Sequence, residues 1–220
     1  MASAVRQQDE LISEEAYFEL EKQTDTRHEF IDGYVYAMVG GSFNHGTLIG
    51  TIAREIGNHL KGKPCRVFAE GIKVKIPALY RGESRYFYPD VVVDCTIEKA
   101  DGNMLTTPVI VVEVLSASTH KYDETIKFQV YSTIPTLQEY VLIEQDMARI
   151  EVQRRRNYWA IEKYFLGDTI TFESIDLTLT VEEIYDRVHN EEMTEWLEQK
   201  ARDAAKAEAE KLAMVLSGSK

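Results

Sequence analysis

The sequence has only two cysteines and no long hydrophobic run, and both absences exclude classes of protein. Cys65 and Cys95 form no C-x-x-C pair within the 220 residues, so the sequence indicates no disulfide scaffold and fits a reducing cytoplasm. No apolar segment approaches the length of a membrane span, and residues 1–15 lack the apolar core of a signal peptide. We therefore expect a cytoplasmic protein without a membrane partner.

The motifs of several common enzyme classes are also missing. The chain contains no G-x-S-x-G elbow, no Walker loop and no G-x-G-x-x-G fingerprint. Its five histidines are scattered without the spacing of zinc ligands. These absences argue against serine hydrolases of the elbow type, P-loop enzymes, dinucleotide-binding enzymes and histidine-rich zinc sites.

Basic residues are fewer than acidic ones, 25 against 37, and the net charge is −12. Such a balance argues against broad, nonspecific affinity for nucleic acid. A nuclease stays compatible with it, because a local cleft with bound cations can be positive within an acidic molecule. The apolar fraction of 44% and the charged fraction of 28% are those of an ordinary globular protein. The length is sufficient for one domain with an appendage.

Two neighbouring valine-rich segments, 88–94 and 109–116, each carry a carboxylate. Both segments are typical of strands buried on both faces, yet Asp90 opens the first and Glu113 lies inside the second. An ionised carboxylate is costly to bury unless it is paired, protonated or bound to a metal. If the strands pair, the two acids can converge on one Mg²⁺, with the carbonyl of Val114 nearby. The alternative is a turn capped by Asp90 and a Glu113 paired with a lysine; two acids on adjacent core strands favour the metal site.

Helical and extended periodicities alternate along the rest of the chain. They predict helices at 13–20, 44–60, 118–132 and 181–188, strands at 66–76 and 137–143, and an antiparallel meander over 148–174. Over 26–36 they predict two extended segments joined by a turn at Asp32-Gly33. The predicted N-caps are Ser13, Asn44 and either Ser118 or Thr119. A helix between the Glu113 strand and 137–143 favours a parallel strand pair. The composition predicts a domain over 1–188 and a charged Glu/Ala/Lys-rich helix over 189–220.

Pro89-Asp90, followed in the next strand by Glu113-Val114, resembles the PD-(D/E)XK nuclease superfamily, which has the restriction-endonuclease-like fold. The wider pattern is similar to one branch, a large family of predicted endonucleases abundant in cyanobacteria and long classed as a domain of unknown function. That pattern comprises Pro89-Asp90-Val91-Val92-Val93, Val112-Glu113-Val114-Leu115-Ser116, Ser118-Thr119, Asp123, Lys127, Tyr131, and Pro135 ahead of Glu139-Tyr140-Val141-Leu142-Ile143. The resemblance covers roughly residues 18–188.

This resemblance implies an α/β fold with a mixed central sheet flanked by helices. It implies an endodeoxyribonuclease that depends on Mg²⁺ or Mn²⁺ and hydrolyses phosphodiester bonds with a metal-activated water. Asp90 and Glu113 would be catalytic metal ligands, with Val114 as a third ligand. DNA would be the substrate, and we expect a homodimer because cutting both strands of a duplex usually needs two sites.

One position departs from the superfamily pattern, which has a lysine two residues after the glutamate. Leu115 occupies that position. By position Lys127 matches the displaced catalytic lysine, with Asp123 and Tyr131 on its face of the next helix; Lys121 is a weaker substitute. The alternative is a solvent-exposed Lys127 paired with Asp123, a contact of little energetic value.

Four further residues are candidates. Glu29 matches the family's early acid, or it is an exposed strand acid. His45 matches the family pattern and could contact a phosphate, or it caps or packs the helix. Lys73 and Lys75 could bind nucleic acid along a cleft, although a solvated strand face explains them equally well.

A rival interpretation comes from a different class of protein. The fold could be a nuclease-like scaffold that no longer cuts and acts as a protein-interaction module. The C-terminal helix supports this, since Trp196 and Leu197 could pack against a partner.

Overall fold

The computed structural model describes residues 5–6, 10–38, 40–78, 82, 84–96, 104–116 and 123–217. Its strands are β1 (Val5–Arg6), β2 (His28–Ile31), β3 (Tyr34–Ala37), β4 (Arg66–Ala69), β5 (Lys73–Ile76), β6 (Arg85–Phe87), β7 (Val91–Asp94), β8 (Met104–Leu105), β9 (Pro108–Leu115), β10 (Glu139–Glu144), β11 (Arg149–Arg154), β12 (Ile161–Phe165), β13 (Thr169–Phe172) and β14 (Leu177–Thr180). Its α-helices are α1 (Glu14–Gln23), α2 (Phe43–His59), α3 (Phe128–Tyr131), α4 (Val181–Ile184) and α5 (Glu191–Ser217), and a π-helical turn, Asp123–Lys127, leads into α3. None of these helices is long and apolar enough to cross a bilayer.

The strands form two six-stranded sheets and one hairpin. The first sheet has the order β1-β3-β2-β6-β5-β8, the second has the order β12-β11-β10-β9-β7-β4, and β13 pairs with β14. In the second sheet β9 and β10 are parallel, as predicted from the helical connection, and β7 is antiparallel to β9. The predicted α/β class with a mixed sheet and a C-terminal helix is confirmed.

The second sheet carries the core on both faces. Helix α2 packs against β4, β7 and β9 on one face, because Leu48, Ile52 and Ile56 recur at helical spacing and are buried. The opposite face of the sheet contacts α3 and part of the first sheet. Its core residues include Val92, Val111, Leu115, Tyr131, Tyr140 and Leu142.

The predicted strand 66–76 is in fact two strands in different sheets. Glu70 and Gly71 both have positive φ angles, 46° and 79°, so the chain leaves the second sheet after β4 and enters the first sheet at β5. Glycine adopts such a φ without a steric penalty. The alternating pattern on either side of this turn hid the break.

Three other expectations at the element level were wrong in detail. Strand β13 pairs with β14 and not with β12, so the meander ends one strand early. Helix α4 covers Val181–Ile184 and is shorter than predicted. Ser42 caps α2 by accepting from the backbone N–H of His45, 3.1 Å away, in place of Asn44. The predicted start of the third helix, at Ser118 or Thr119, and Lys121 lie outside the described residues.

The expectation of unpaired cysteines was also wrong. Cys65 directly precedes β4, Cys95 directly follows β7, and a disulfide joins them. Because β4 and β7 are antiparallel neighbours with Arg66 opposite Asp94, the two cysteines face each other one step further along. The sequence spacing of 30 residues gave no sign of this pairing.

Candidate active site

The two strand carboxylates lie on the same face of the second sheet. Val91 pairs with Val112 in the antiparallel β7–β9 ladder, so the register one step further sets Asp90 opposite Glu113. Both are buried, with 9% and 3% of their surface exposed. Opposite residues of an antiparallel pair have neighbouring side chains, which places two oxygen donors side by side.

Asp90 is held at the end of β7 by backbone contacts. One carboxylate oxygen accepts from the backbone N–H of Val114 at 2.6 Å, and the Asp90 carbonyl accepts from the N–H of Glu70 at 2.9 Å. His45, in the first turn of α2, places its Nε2 3.5 Å from the same carboxylate. Asp90 is therefore held by contacts from the end of β4, from β9 and from α2.

Lys127 lies against Glu113 inside the protein. Its Nζ is 3.1 Å from Oε1 of Glu113, 3.0 Å from Oε1 of Glu29 and 3.3 Å from Oδ1 of Asp123. Only 5% of Lys127 is exposed, so the alternative of a solvent-exposed pair with Asp123 does not describe it. We call Glu29, Glu113, Asp123 and Lys127 the carboxylate–lysine cluster; it unites β2, β9 and the π-helical turn.

Burial and mutual charge set the protonation of this cluster. Burial raises the pKa of Glu113 well above its usual value, the ammonium of Lys127 opposes this, and nearby carboxylates, Asp90 first, add to it. Burial likewise raises the pKa of Glu29. Burial alone would lower the pKa of Lys127, but Glu113, Glu29 and Asp123 outweigh it and raise that pKa well above its usual value. The lysine therefore stays charged, while Glu113 and Glu29 hold their protons more tightly than in water.

The π-helical turn brings Asp123 and Lys127 into the core, and such turns are frequent at functional sites. Tyr140 on β10 donates its hydroxyl to the carbonyl of Asp123 at 2.9 Å and so anchors the turn. Tyr131 follows on α3, fully buried between Phe87 and Tyr140. Its hydroxyl makes no hydrogen bond within the described part of the chain, and burial raises its pKa well above the usual value.

A surface cavity of about 280 Å³ leads to Asp90. Its lining residues are Asp25, Thr26, Arg27, Met38, Gly40, Gly41, His45, Glu70 and Asp90. Arg27 is exposed, has no ion pair within the described residues and lies with its guanidinium 5.9 Å from the ring of Tyr88. Sequence reasoning missed Arg27; its position directly before the His28-Glu29 segment was the available signal.

The donor set at the strand ends fits a hard divalent cation. Within the described ranges no three His, Cys, Asp or Glu side chains form a group that could hold a metal ion. Asp90 and Glu113 nevertheless supply carboxylate oxygens side by side, and the charge of Asp90 adds to the burial that raises the pKa of Glu113. Mg²⁺ is usually held by one or two carboxylates, with waters and substrate phosphates as its other ligands. The residues present therefore fit Mg²⁺ better than a cation that needs an all-protein cage.

The predicted nucleic-acid lysines do not both lie on an open face. Lys73 is buried, 3.0 Å from Oε2 of Glu21, and its ammonium lies 4.6 Å from the ring centroid of Tyr17. Its charge therefore lies in the packing between α1 and the first sheet and not on an open strand face. Lys75 is partly buried on the same strand.

Comparisons with known proteins agree on the kind of fold. The model of the Uma2 family, described as "Putative restriction endonuclease", matches residues 14–182. Two uncharacterized proteins of Synechocystis sp. (strain ATCC 27184 / PCC 6803 / Kazusa) are similar to the chain. The protein slr1290 is 34% identical over 177 residues, covering 79% of this chain and 91% of the relative. The protein sll1609 is 36% identical over 138 residues, covering 61% and 76%.

A solved structure also matches. It is the crystal structure of a putative nuclease of the DUF820 group from Anabaena variabilis ATCC 29413, with a TM-score of 0.63 and 17% identity. The match covers 76% of this chain and 93% of that chain. At this identity the likeness concerns the fold.

Proposed function

The chain belongs to the Uma2 family, described as "Putative restriction endonuclease", and from this premise we propose that it is a divalent-metal-dependent endodeoxyribonuclease. The resemblance to the PD-(D/E)XK superfamily is confirmed by this family and by the fold of the DUF820 nuclease. One observation carries the proposal: Asp90 lines a surface cavity, Glu113 lies beside it on the neighbouring strand, and a buried ammonium is 3.1 Å from Glu113.

Asp90 and Glu113, together with the main chain at Val114, would hold Mg²⁺ or Mn²⁺. Such a cation supplies charge neutralisation at the scissile phosphate and a lowered pKa of a nearby water. The backbone of Val114 fixes Asp90 through the 2.6 Å hydrogen bond, so this carboxylate is preorganised before any substrate arrives. Preorganised ligands need no rearrangement during the reaction.

Lys127 supplies the proposed active site with a positive charge that belongs to the protein itself. Its ammonium lies against Glu113, where it can orient an attacking water and stabilise negative charge that develops on the phosphate. Glu29 and Asp123 hold it on the other side. We therefore assign Glu29 and Asp123 to positioning Lys127, and Tyr131 to packing around it.

The cavity wall offers two further contacts for a phosphodiester backbone. His45 faces Asp90 from α2, and the exposed Arg27 can donate to a neighbouring phosphate. Arginine and histidine are suited to this because both donate directed hydrogen bonds to phosphate oxygens. The remaining acidic lining makes binding dependent on the metal, because Asp25, Glu70 and Asp90 would otherwise repel DNA.

Isosteric replacement of the two acids tests the proposal. Asp90→Asn and Glu113→Gln should each lower Mg²⁺-dependent nicking of supercoiled plasmid at least about 100-fold, since metal charge stabilisation is worth several kcal/mol. Asp94→Asn is the matched control, because Asp94 ends the same strand but accepts from Thr96 and Thr107. Circular dichroism should show all three folded. Unchanged nicking by both site variants would remove the proposal.

Ion binding separates this function from its rival. Calorimetry should show Mn²⁺ binding by the wild type that Asp90→Asn weakens. If the wild type binds neither Mg²⁺ nor Mn²⁺ and does not nick, the scaffold interpretation is correct. Helix α5 would then be its contact element, as Leu197 is 60% exposed. Sedimentation would show whether the protein is the expected homodimer.

A further inference from the structure

A second cavity lies beside the first turn of α2, the turn whose His45 lines the cavity that leads to Asp90. Its volume is about 440 Å³, and it is lined by Ser42, Phe43, Asn44, Ser116, Gln145, Asp146 and His189. Ser116 ends the segment that carries Glu113, and His45 follows Asn44 in the same turn of α2. The cavity is therefore lined in part by the same segments that carry residues of the proposed active site.

The walls of this cavity are fixed by hydrogen bonds. The Asn44 side chain donates to the carbonyl of His189 at 2.8 Å and accepts from its N–H at 3.1 Å. Ser42 donates its hydroxyl to the side-chain carbonyl of Gln145. Gln145 is only 6% exposed, and its amide nitrogen makes no hydrogen bond within the described residues. The Gln145 amide therefore lies at the cavity, and its oxygen is held in place by Ser42.

Phe43 is the most exposed large hydrophobic residue described, at 97%. It occupies the first position of α2, where a phenylalanine contributes nothing to the core or to the cap. Exposing an aromatic ring to water is unfavourable. A ring in this position next to a polar cavity is suited to stacking on a flat, polar partner.

Of the base, sugar and phosphate of a nucleotide, the base fits the chemistry of this cavity best. Among the described residues that line it there is no lysine or arginine, and Asp146 contributes a carboxylate, so this lining disfavours a phosphate. An unpaired base offers a π-face for Phe43 and hydrogen-bonding edges for Gln145 and Asp146. Proteins that bind unpaired strands combine such stacking with backbone contacts.

We propose that this cavity binds an unpaired base of the substrate strand, stacked on Phe43, next to the phosphate that is cut. The inference rests on the proposed nuclease function. It predicts that the enzyme acts on single-stranded or locally opened DNA in preference to a fully paired duplex.

The test compares two fluorescent oligonucleotides of equal length, one with bases and one fully abasic, in anisotropy titrations with Ca²⁺ in place of Mg²⁺. Phe43→Ala should weaken binding of the base-bearing strand about 5- to 150-fold, the value of one stacked base. Binding of the abasic strand should change less than about twofold. Phe43→Trp should restore the preference for bases, since it restores the stacking surface. Phe165→Ala, which removes a half-exposed ring on β12, is the control for loss of a surface aromatic side chain.

The outcomes separate the two proposals. Equal weakening of both strands, or no weakening, overturns the base site and leaves the nuclease proposal standing. A change from dimer to monomer in Phe43→Ala, with binding per protomer unchanged, would identify the face as a contact between two copies and also overturn the base site. If the wild type binds neither strand and cuts no DNA, the proposed function fails and this inference fails with it.

Discussion

Replacing Lys127 by methionine should destabilise the protein far more than an ordinary lysine substitution does. The ammonium is within 3.3 Å of an oxygen of Glu29, Glu113 and Asp123, and all four side chains are buried. Methionine fills similar volume but carries no charge, so the three carboxylates lose their shared cation. The change therefore isolates the electrostatic role of the lysine from its packing.

The expected loss follows from the burial of the partners. Removing one member of a buried ion pair costs about 3–5 kcal/mol because it leaves an uncompensated charge. For a chain of this size that loss lowers the melting temperature on the order of 10 °C. Lys22→Met is the matched control, since Lys22 pairs with Glu19 at 2.6 Å and the two side chains are 69% and 62% exposed; an exposed pair is worth about 0–1 kcal/mol.

The loss should depend on pH. In the wild type Lys127 lowers the pKa of Glu113 and Glu29, whose pKa values burial raises. Without the ammonium those values rise further, so protonation neutralises the carboxyls at a higher pH. The buried carboxyls of the folded variant then bind more protons than those of the folded wild type. The stability deficit of the variant therefore shrinks as pH falls.

Urea unfolding of the wild type and both variants at pH 8 and pH 5 measures these effects. We expect the Lys127→Met deficit to be largest at pH 8 and clearly smaller at pH 5. A deficit no greater than that of Lys22→Met, or one equal at both pH values, would refute the idea that Lys127 neutralises buried carboxylates.

Two further predictions follow, one from the disulfide and one from the carboxylate–lysine cluster. Cys65→Ser should lower the free energy of unfolding by about 3–4 kcal/mol in urea titrations, because the disulfide closes a loop of 30 residues in the unfolded chain; a wild type whose stability is unaffected by a reducing agent would contradict this. Glu29→Gln should move the acidic limb of the pH–rate profile for plasmid nicking to lower pH, because Glu29 is one of the charges that raise the pKa of Glu113. An unshifted limb would show that Glu29 does not influence the reacting carboxylate.

The local pattern was sufficient for the strands that carry the site. Valine-rich segments around Asp90 and Glu113 predict buried strands, and two-residue periodicity predicts which side chains share a face. The structure places both acids on one face of adjacent strands. The hairpin at Asp32-Gly33 and the Ser13 cap of α1 were equally readable from local sequence.

Contacts between distant segments were not readable. Lys73 lies in a strand whose pattern predicts a solvated face, yet Glu21 and the aromatic side chains of α1 enclose it. Arg154 opens the basic run Arg154-Arg155-Arg156, yet it is 2% exposed and pairs with Glu139 on β10. In each case a charged residue is buried because a partner from another segment accompanies it, and sequence periodicity contains no information about that partner.

The position of the lysine can be understood from the packing at Leu115. That residue shares its strand face with Glu113, but its side chain is 1% exposed and belongs to the hydrocarbon core between the second sheet and α3. A lysine there would bury its stem in the core and need a second acid nearby. The π-helical turn, which faces Glu113, places a lysine there without burying its stem at position 115. It directs Lys127 onto Glu113, while Asp123, one turn earlier, and Glu29 supply the additional carboxylates. The ammonium therefore reaches Glu113 from a different segment of the chain than in the superfamily pattern. In that position it depends on Glu29 and Asp123 as additional partners.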